Sequence, residues 1–260
     1  MLKLILLPGA LFLLVIFFRV FVPHLKTAPW KRLIDSALYH RSRKETEKSD
    51  ALLDKALNKF PMQPEVYLDY FLNYSEAENL KDRFEIISEG YRKTNDVILG
   101  FFIGSTYLEH GDLEKAKDLL NSDFCRNYML EKGFTLLPEL YYELGDYKKA
   151  EEEFEDFYRS LYDEYGNDFA ETLEEMSPQD LIMLALIRKT SGTDYLSIMK
   201  HAPKSSIHSD MSWQDHLSDL QERLKKLNPA SVGISGDPGV FNKRRKEYFS
   251  KRIQLIQSYL

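Results

Sequence analysis

The sequence predicts an all-α fold in which paired helices stack into an α-α superhelix, preceded by one apolar segment long enough to cross a membrane. Three observations lead there. A ten-residue pattern recurs after 34 residues, Tyr107–Ala116 matching Tyr141–Ala150 at six of ten positions. Gly and Pro, 12 and 10 of 260 residues, make up about 8 % of the chain against a usual ~12 %, too few for the turns of a β-sandwich or a Gly-rich nucleotide fold. The remaining apolar residues recur at helical spacing, as in Trp213, Leu217, Leu220, Leu224 and Leu227. A hydrophobic content of 43 % with 29 % charged residues excludes wholesale disorder. The single cysteine, Cys125, excludes an internal disulfide and a Cys-based zinc site. A net charge of −6 argues against generic nucleic-acid binding, which needs a cationic surface.

Residues 1–23 read as a transmembrane anchor. Leu4 to Phe18 carries no charge, and the apolar character resumes past Arg19 to Val22; these 19 residues span ~28 Å as a helix. Arg19 lies near enough to one end to snorkel to the headgroups. Lys3 resembles the short basic start of a signal peptide, but no Ala-x-Ala site follows, and Pro23-His24-Leu25-Lys26 is a poor cleavage site. Cations after the span (Arg19, Lys26, Lys31, Arg32, Arg41, Arg43, Lys44) outnumber those before it. A single-pass membrane protein with a cytoplasmic body is therefore expected, and an exported body after removal of the N-terminus is the alternative.

Residues 24–45 form a basic juxtamembrane segment and a first helix, and 46–165 an array of helical repeats. Within 30–60 a hairpin is expected with Leu33, Ala37, Leu52, Leu53 and Ala56 inward. A degenerate unit follows, with Tyr67, Phe71 and Tyr74 on its first helix and Leu80, Phe84 and Ile87 on its second. Its turn, 76–79, lacks Gly-Asp, and Arg83 stands where a small residue is expected. The clear units run over 97–130 and 131–164. Tyr107 and Ile103 share one face of a first helix, Gly111-Asp112 breaks it, and Ala116 is small where the second helix approaches. Leu120 returns to the same face. The second unit repeats this with Tyr141, Gly145, Asp146, Ala150 and Phe154. One such hairpin cannot bury its apolar faces alone, so copies must stack.

This spacing of small residue, Tyr, Gly-Asp, Ala and aromatic at a 34-residue period resembles the tetratricopeptide repeat family, over roughly 30–165. The resemblance implies a right-handed superhelix that binds protein partners in a groove lined by first helices. Here those positions are Phe101, Ser105, Leu108 and Glu109, then Thr135, Glu139, Tyr142 and Glu143. The family's clamp for a terminal carboxylate uses Lys and Asn, which are absent. Aromatic and acidic lining implies instead a partner segment with apolar anchors and Lys or Arg.

Residues 166–228 read as degenerate hairpins. Gly166-Asn167 is a turn. Ser177 caps the next helix, with Pro178 first and Asp180 as reciprocal acid. Leu181–Ile187 is apolar enough to be buried on most sides, Thr190–Thr193 ends that helix, and Ser212 with Asp215 caps the next. Residues 229–260 are a loop and a basic helix carrying Lys243, Arg244, Arg245, Lys246, Lys251 and Arg252, with Phe249, Ile253, Ile256 and Leu260 on one side. That helix either caps the array or lies on an anionic membrane surface.

No catalytic constellation converges, so no enzyme activity, cofactor or metal is expected. Gly233, Gly236 and Gly239 lack the Lys-Ser/Thr and preceding strand of a phosphate loop. His201, His208 and His216, with Asp210 and Asp215, lack ligand spacing on one helix face. Cys125 has His110 nearby in sequence but no orienting third group, and reads as a buried thiol. Between 131 and 180 sixteen acidic residues face four Lys or Arg, which is either a solvated face or a field for a basic partner. The functional expectation is a membrane-anchored adaptor that recruits protein partners.

Overall fold

The computed structural model describes residues 28–73, 80–162, 173, 176–200, 212–227, 234 and 238–260. All regular structure among them is helical: α1 (Pro29–Ser42), α2 (Thr46–Lys59), α3 (Pro64–Asn73), α4 (Leu80–Thr94), α5 (Val97–His110), α6 (Leu113–Leu120), α7 (Asp123–Lys132), α8 (Leu136–Glu143), α9 (Tyr147–Tyr162), α10 (Pro178–Ser191), α11 (Leu196–Met199), α12 (Trp213–Lys225) and α13 (Pro238–Tyr259). The expected membrane span 1–23 lies outside the described residues, as do Tyr74, the turn 76–79, Gly166-Asn167, His201, His208, Asp210, Gly233 and Gly236. Among the described residues no helix is long and apolar enough to cross a membrane.

The chain divides into two compact units, the first holding residues 28–73 and 89–94, the second 80–88 and everything from Asn95 on. In the first, α1 and α2 form a hairpin with α3 against both. Ala37, Leu53 and Ala56 are buried as expected. Ile34 rather than Leu33 sits at the centre, because Val66 of α3 completes the cluster with Ile34 and Ala56 and leaves Leu33 half-exposed. The close helix approach expected near Arg83 falls instead at Gly90, where a Cβ would run into the Tyr67 ring.

The second unit contains the 34-residue pattern as geometry. Helices α5 and α6 form one antiparallel hairpin, α8 and α9 the next, and α6 packs on α8. Gly111 and Gly145 sit at the two bends with φ of 84° and 81°, a left-handed conformation that a side chain disfavours. Each bend closes with the same two hydrogen bonds: Gly111 N–H to Leu108 O and Asp112 N–H to Tyr107 O, then Gly145 N–H to Tyr142 O and Asp146 N–H to Tyr141 O. Ala116 and Ala150 are fully buried, as are Leu120 and Phe154. Even a cation–π contact repeats, with Lys115 Nζ 5.1 Å from the Tyr107 ring centre and Lys149 Nζ 5.9 Å from that of Tyr141.

The two copies differ in the second helix of the 97–130 unit. It stops at Leu120, and Ser122 starts a new helix, α7, its Oγ accepting the Cys125 N–H at 3.3 Å. A capping hydroxyl competes locally with helix continuation and wins here. α7 packs against α5, α6 and α9, and leaves α8 only 8 residues long against 14 for α5.

Leu181 to Ile187 of α10 are all buried among α8, α9 and α13. Ser177 caps this helix as expected, and Pro178 is its first residue. Asp180 departs from the expected role of reciprocal acid. Its carboxylate accepts hydrogen bonds from the hydroxyls of Thr135 (2.7 Å), Tyr158 (2.7 Å) and Ser177 (2.6 Å), tying the entry to α8 and the far end of α9 to α10. Ser212 and Asp215 do form the complete reciprocal cap of α12, and the buried Trp213 indole donates to Met199 O at 2.7 Å.

Helix α13 packs on α12, α10 and α5. Phe249, Ile253 and Ile256 are buried as expected, while Leu260 is 62 % exposed beyond the end of the helix and Leu255 takes a place inside. Flanking by both α10 and α12 broadens the apolar face to the adjacent pair 255–256.

Candidate functional site

A cavity of about 390 Å³ lies within the second unit between α5, α8, α10, α12 and α13. Five of the eight residues assigned to the groove from sequence line it: Ser105, Leu108 and Glu109 of α5, Glu139 and Glu143 of α8. The i, i+4 spacing of Ser105 with Glu109 and of Glu139 with Glu143 places each pair on one helix face. The other three groove residues stand elsewhere. Phe101 is buried, stacked on Phe134 at 5.2 Å and edge-on to Tyr128. Thr135 is committed to Asp180. Tyr142 is buried beside the cavity, its ring 5.0 Å from Lys251 Nζ.

The opposite wall comes from α13. Lys251 reaches Glu143 at 3.3 Å, Arg244 reaches the same carboxylate at 3.6 Å, and Arg252 stands 3.9 Å from Glu139. Arg244 also crosses directly over the Gly111 bend, where a Cβ would meet its guanidinium. Arg252 is 6 % exposed; it lies 3.3 Å from the Tyr248 ring centre and donates to Tyr248 O and Met183 Sδ. Burial pushes the Glu139 carboxyl above the ordinary range; Arg252 opposes this, and Glu143 and Glu109 add to it. Burial likewise lowers His110, at the end of α5, and Arg244 and Arg245 lower it further. Glu139 and Glu143 thus pair with cations of the chain's own α13.

Burial varies along α13: Asn242 near its start is buried, and Tyr248 packs against the core. From Lys243 to Tyr248 no side chain is buried, whereas Phe249, Arg252, Ile253, Leu255 and Ile256 all are. Burying these four large apolar side chains stabilises the helix by ~6–12 kcal/mol gross, at ~1.5–3 kcal/mol each. The half-exposed pairs of Arg244 and Lys251 contribute only ~0.2–1 kcal/mol each. Apolar packing therefore fixes the helix, and the charges set its register over α8.

Within the acidic block 131–180, three acids of α9 are paired inside the fold. Glu153 is buried between Arg126 (2.7 Å) and Lys149 (3.1 Å). Glu151 and Glu155 both reach Arg188 of α10, at 2.7 and 3.8 Å. Cys125 is buried, its thiol pushed up by that burial and directed at Val97 O. Among the described residues no group of three or more His, Cys, Asp or Glu is arranged to hold a metal. His216 lines the cavity on α12. Sequence reasoning missed the α12 and α13 residues of the cavity; the available signal was the cationic run 243–252 opposite an acidic face.

No family model, curated protein or solved structure matches this chain.

Proposed function

We propose that this chain is a membrane-anchored, tetratricopeptide-like adaptor that makes and breaks no covalent bond and presents its helical array to a protein partner. One observation carries the reading. The face built by α5 and α8, on which the family resemblance implies partner-facing positions, accommodates a basic amphipathic helix, here α13, through Glu139 and Glu143. Support for the family comes from the twin bends at Gly111 and Gly145 and the buried Ala116 and Ala150. Support for the anchor is the uncharged run from Leu4 to Phe18. The partner segment fitting this face carries Lys or Arg beside apolar anchors.

The test places a photo-crosslinking residue at Ser105 in the full-length protein and, as a control, at the exposed Phe124, and irradiates native membranes. A protein captured from Ser105 through a Lys/Arg-bearing segment, with the N-terminus intact and membrane association resistant to carbonate, supports the adaptor. Equal capture from both positions, or none, overturns it. A shortened N-terminus would favour the exported alternative.

A further inference from the structure

We infer that the outward face of α1 is a membrane-surface contact, resting on the anionic headgroups beside the proposed anchor and holding the first unit against the bilayer. The inference rests on the anchor reading of residues 1–23. Two observations converge on this helix. Its exposed side chains from Lys31 to Arg43 fall within an arc of about 140° at 100° per residue, turned away from the buried Ile34 and Ala37. In that arc Leu38 and Tyr39 stand 38 % and 55 % exposed. Around them are the exposed cations Lys31, Arg32, Arg43 and, just past the helix, Lys44, against Asp35 as the one acid from 29 to 44. Lys31 and Lys44 have no acidic partner among the described residues. Arg43 lies 3.7 Å from Glu45 and donates to the Tyr39 hydroxyl at 2.6 Å.

The neighbouring helix supplies the contrast. No large apolar side chain of α2 is exposed, and its exposed charges are mixed, Glu47 and Asp54 with Lys48, Lys55 and Lys59. An apolar pair ringed by cations is poorly served by water. At a headgroup boundary the ring and aliphatic chains enter the interface while Lys and Arg meet anionic phosphate. The tether adds a geometric argument. Only residues 24–28 separate the span from α1, a reach of at most ~18 Å fully extended, so the helix starts within about two Debye lengths of the headgroups. The lipid surface is therefore beside this face whether or not a protein partner is bound, and its charge is complementary.

The experiment reconstitutes the full-length protein into phosphatidylcholine vesicles with and without ~30 % phosphatidylserine. Cys125→Ala confines a nitroxide label to Leu38→Cys or, as a control, to Asn58→Cys on the exposed side of α2; collision with an aqueous nickel chelate reports exposure. Position 38 is expected to be shielded relative to 58 when phosphatidylserine is present. Lys31→Gln with Lys44→Gln removes two exposed cations that hold no acid. It is expected to shift the balance toward the unshielded form about thirtyfold, the equivalent of ~2 kcal/mol, and ~1 M salt is expected to act likewise by screening. Equal exposure of 38 and 58 with phosphatidylserine, equal shielding in both vesicle types, or shielding unchanged by the glutamine variant overturns the inference. Equal exposure accompanied by a protein crosslinked from position 38 in native membranes assigns the face to an acidic partner instead. Carbonate extraction of the same vesicles separates the two readings. Protein stripped from the bilayer overturns the anchor, whereas protein retained with position 38 exposed overturns the α1 contact alone.

Discussion

Substituting alanine at the two matched bends separates backbone strain from the contact with α13. Gly111 and Gly145 share φ values within 3° of each other, 84° and 81°, and the same pair of closing hydrogen bonds. A Cβ in this region costs ~1–2 kcal/mol, offset by ~0.4–1 kcal/mol from the stiffer unfolded chain, so each substitution is expected to destabilise by about 1 kcal/mol. Their surroundings differ in one respect. Nothing lies within 4 Å of a Cβ at Gly145, whereas one at Gly111 meets the Arg244 guanidinium. That group is the far end of a flexible side chain and can swing aside, losing its 3.6 Å pair with Glu143. The added cost is then that of a partly exposed ion pair, ~0.2–1 kcal/mol. Urea unfolding followed by circular dichroism measures both variants, alone and with Arg244→Ala. Gly111→Ala is expected to cost ~0.5 kcal/mol more than Gly145→Ala, and the difference to vanish without Arg244. A Gly145→Ala variant as stable as the parent would refute the left-handed bend. A difference that survives Arg244→Ala would refute the contact.

Further outcomes follow from the polar interior. Asp180→Ala leaves the buried Tyr158 hydroxyl without its 2.7 Å acceptor and removes the link to Thr135. A loss of ~2–4 kcal/mol in urea unfolding is expected, and a loss below about 0.5 kcal/mol would refute the role of this junction. Glu153 is pulled in two directions: burial alone would raise its pKa, but Arg126 and Lys149 prevail and hold it below the ordinary carboxylate range. Its stabilising contribution is therefore complete above the unfolded carboxylate pKa and is lost as pH falls through the depressed folded value. Glu153→Gln should lower stability at neutral pH and flatten the acid limb, seen as parent and variant curves converging below about pH 4. Cys125, buried and with its thiol pKa raised, should react with a disulfide reagent only through opening of the structure, at a rate rising with urea; immediate labelling in buffer would refute its burial.

Local chemistry made much of this fold legible. Gly-Asp at a 34-residue interval marked both bends, and Ser212 with Asp215 marked the start of α12, because each works through neighbours a few residues away. Ser122 was equally local, but a lone hydroxyl inside the 97–130 unit drew no notice, and its cap starts a separate helix there. Pairings between distant segments left no comparable mark. Ile34 outranked Leu33 only because Val66 arrives from α3, and Gly90 took the close approach only because Tyr67 lies opposite. The candidate face was half legible for the same reason. Its α5 and α8 residues followed from helical spacing, while Phe101 and Thr135 were drawn inward by Phe134 and Asp180, partners no spacing rule identifies. Two complementary charge patterns were visible about a hundred residues apart, and nothing in either indicated that they close on each other.

That closure orders how the second unit can assemble. The hairpins α5–α6 and α8–α9 join residues close along the chain and can zip up in microseconds, each from its own bend. The contact of α13 with α5 encloses a loop of well over a hundred residues, so its entropic cost is met last. Until it forms, Leu181–Ile187 lacks one wall, and the half-built array exposes an aliphatic strip on which a chaperone or a second nascent chain could settle.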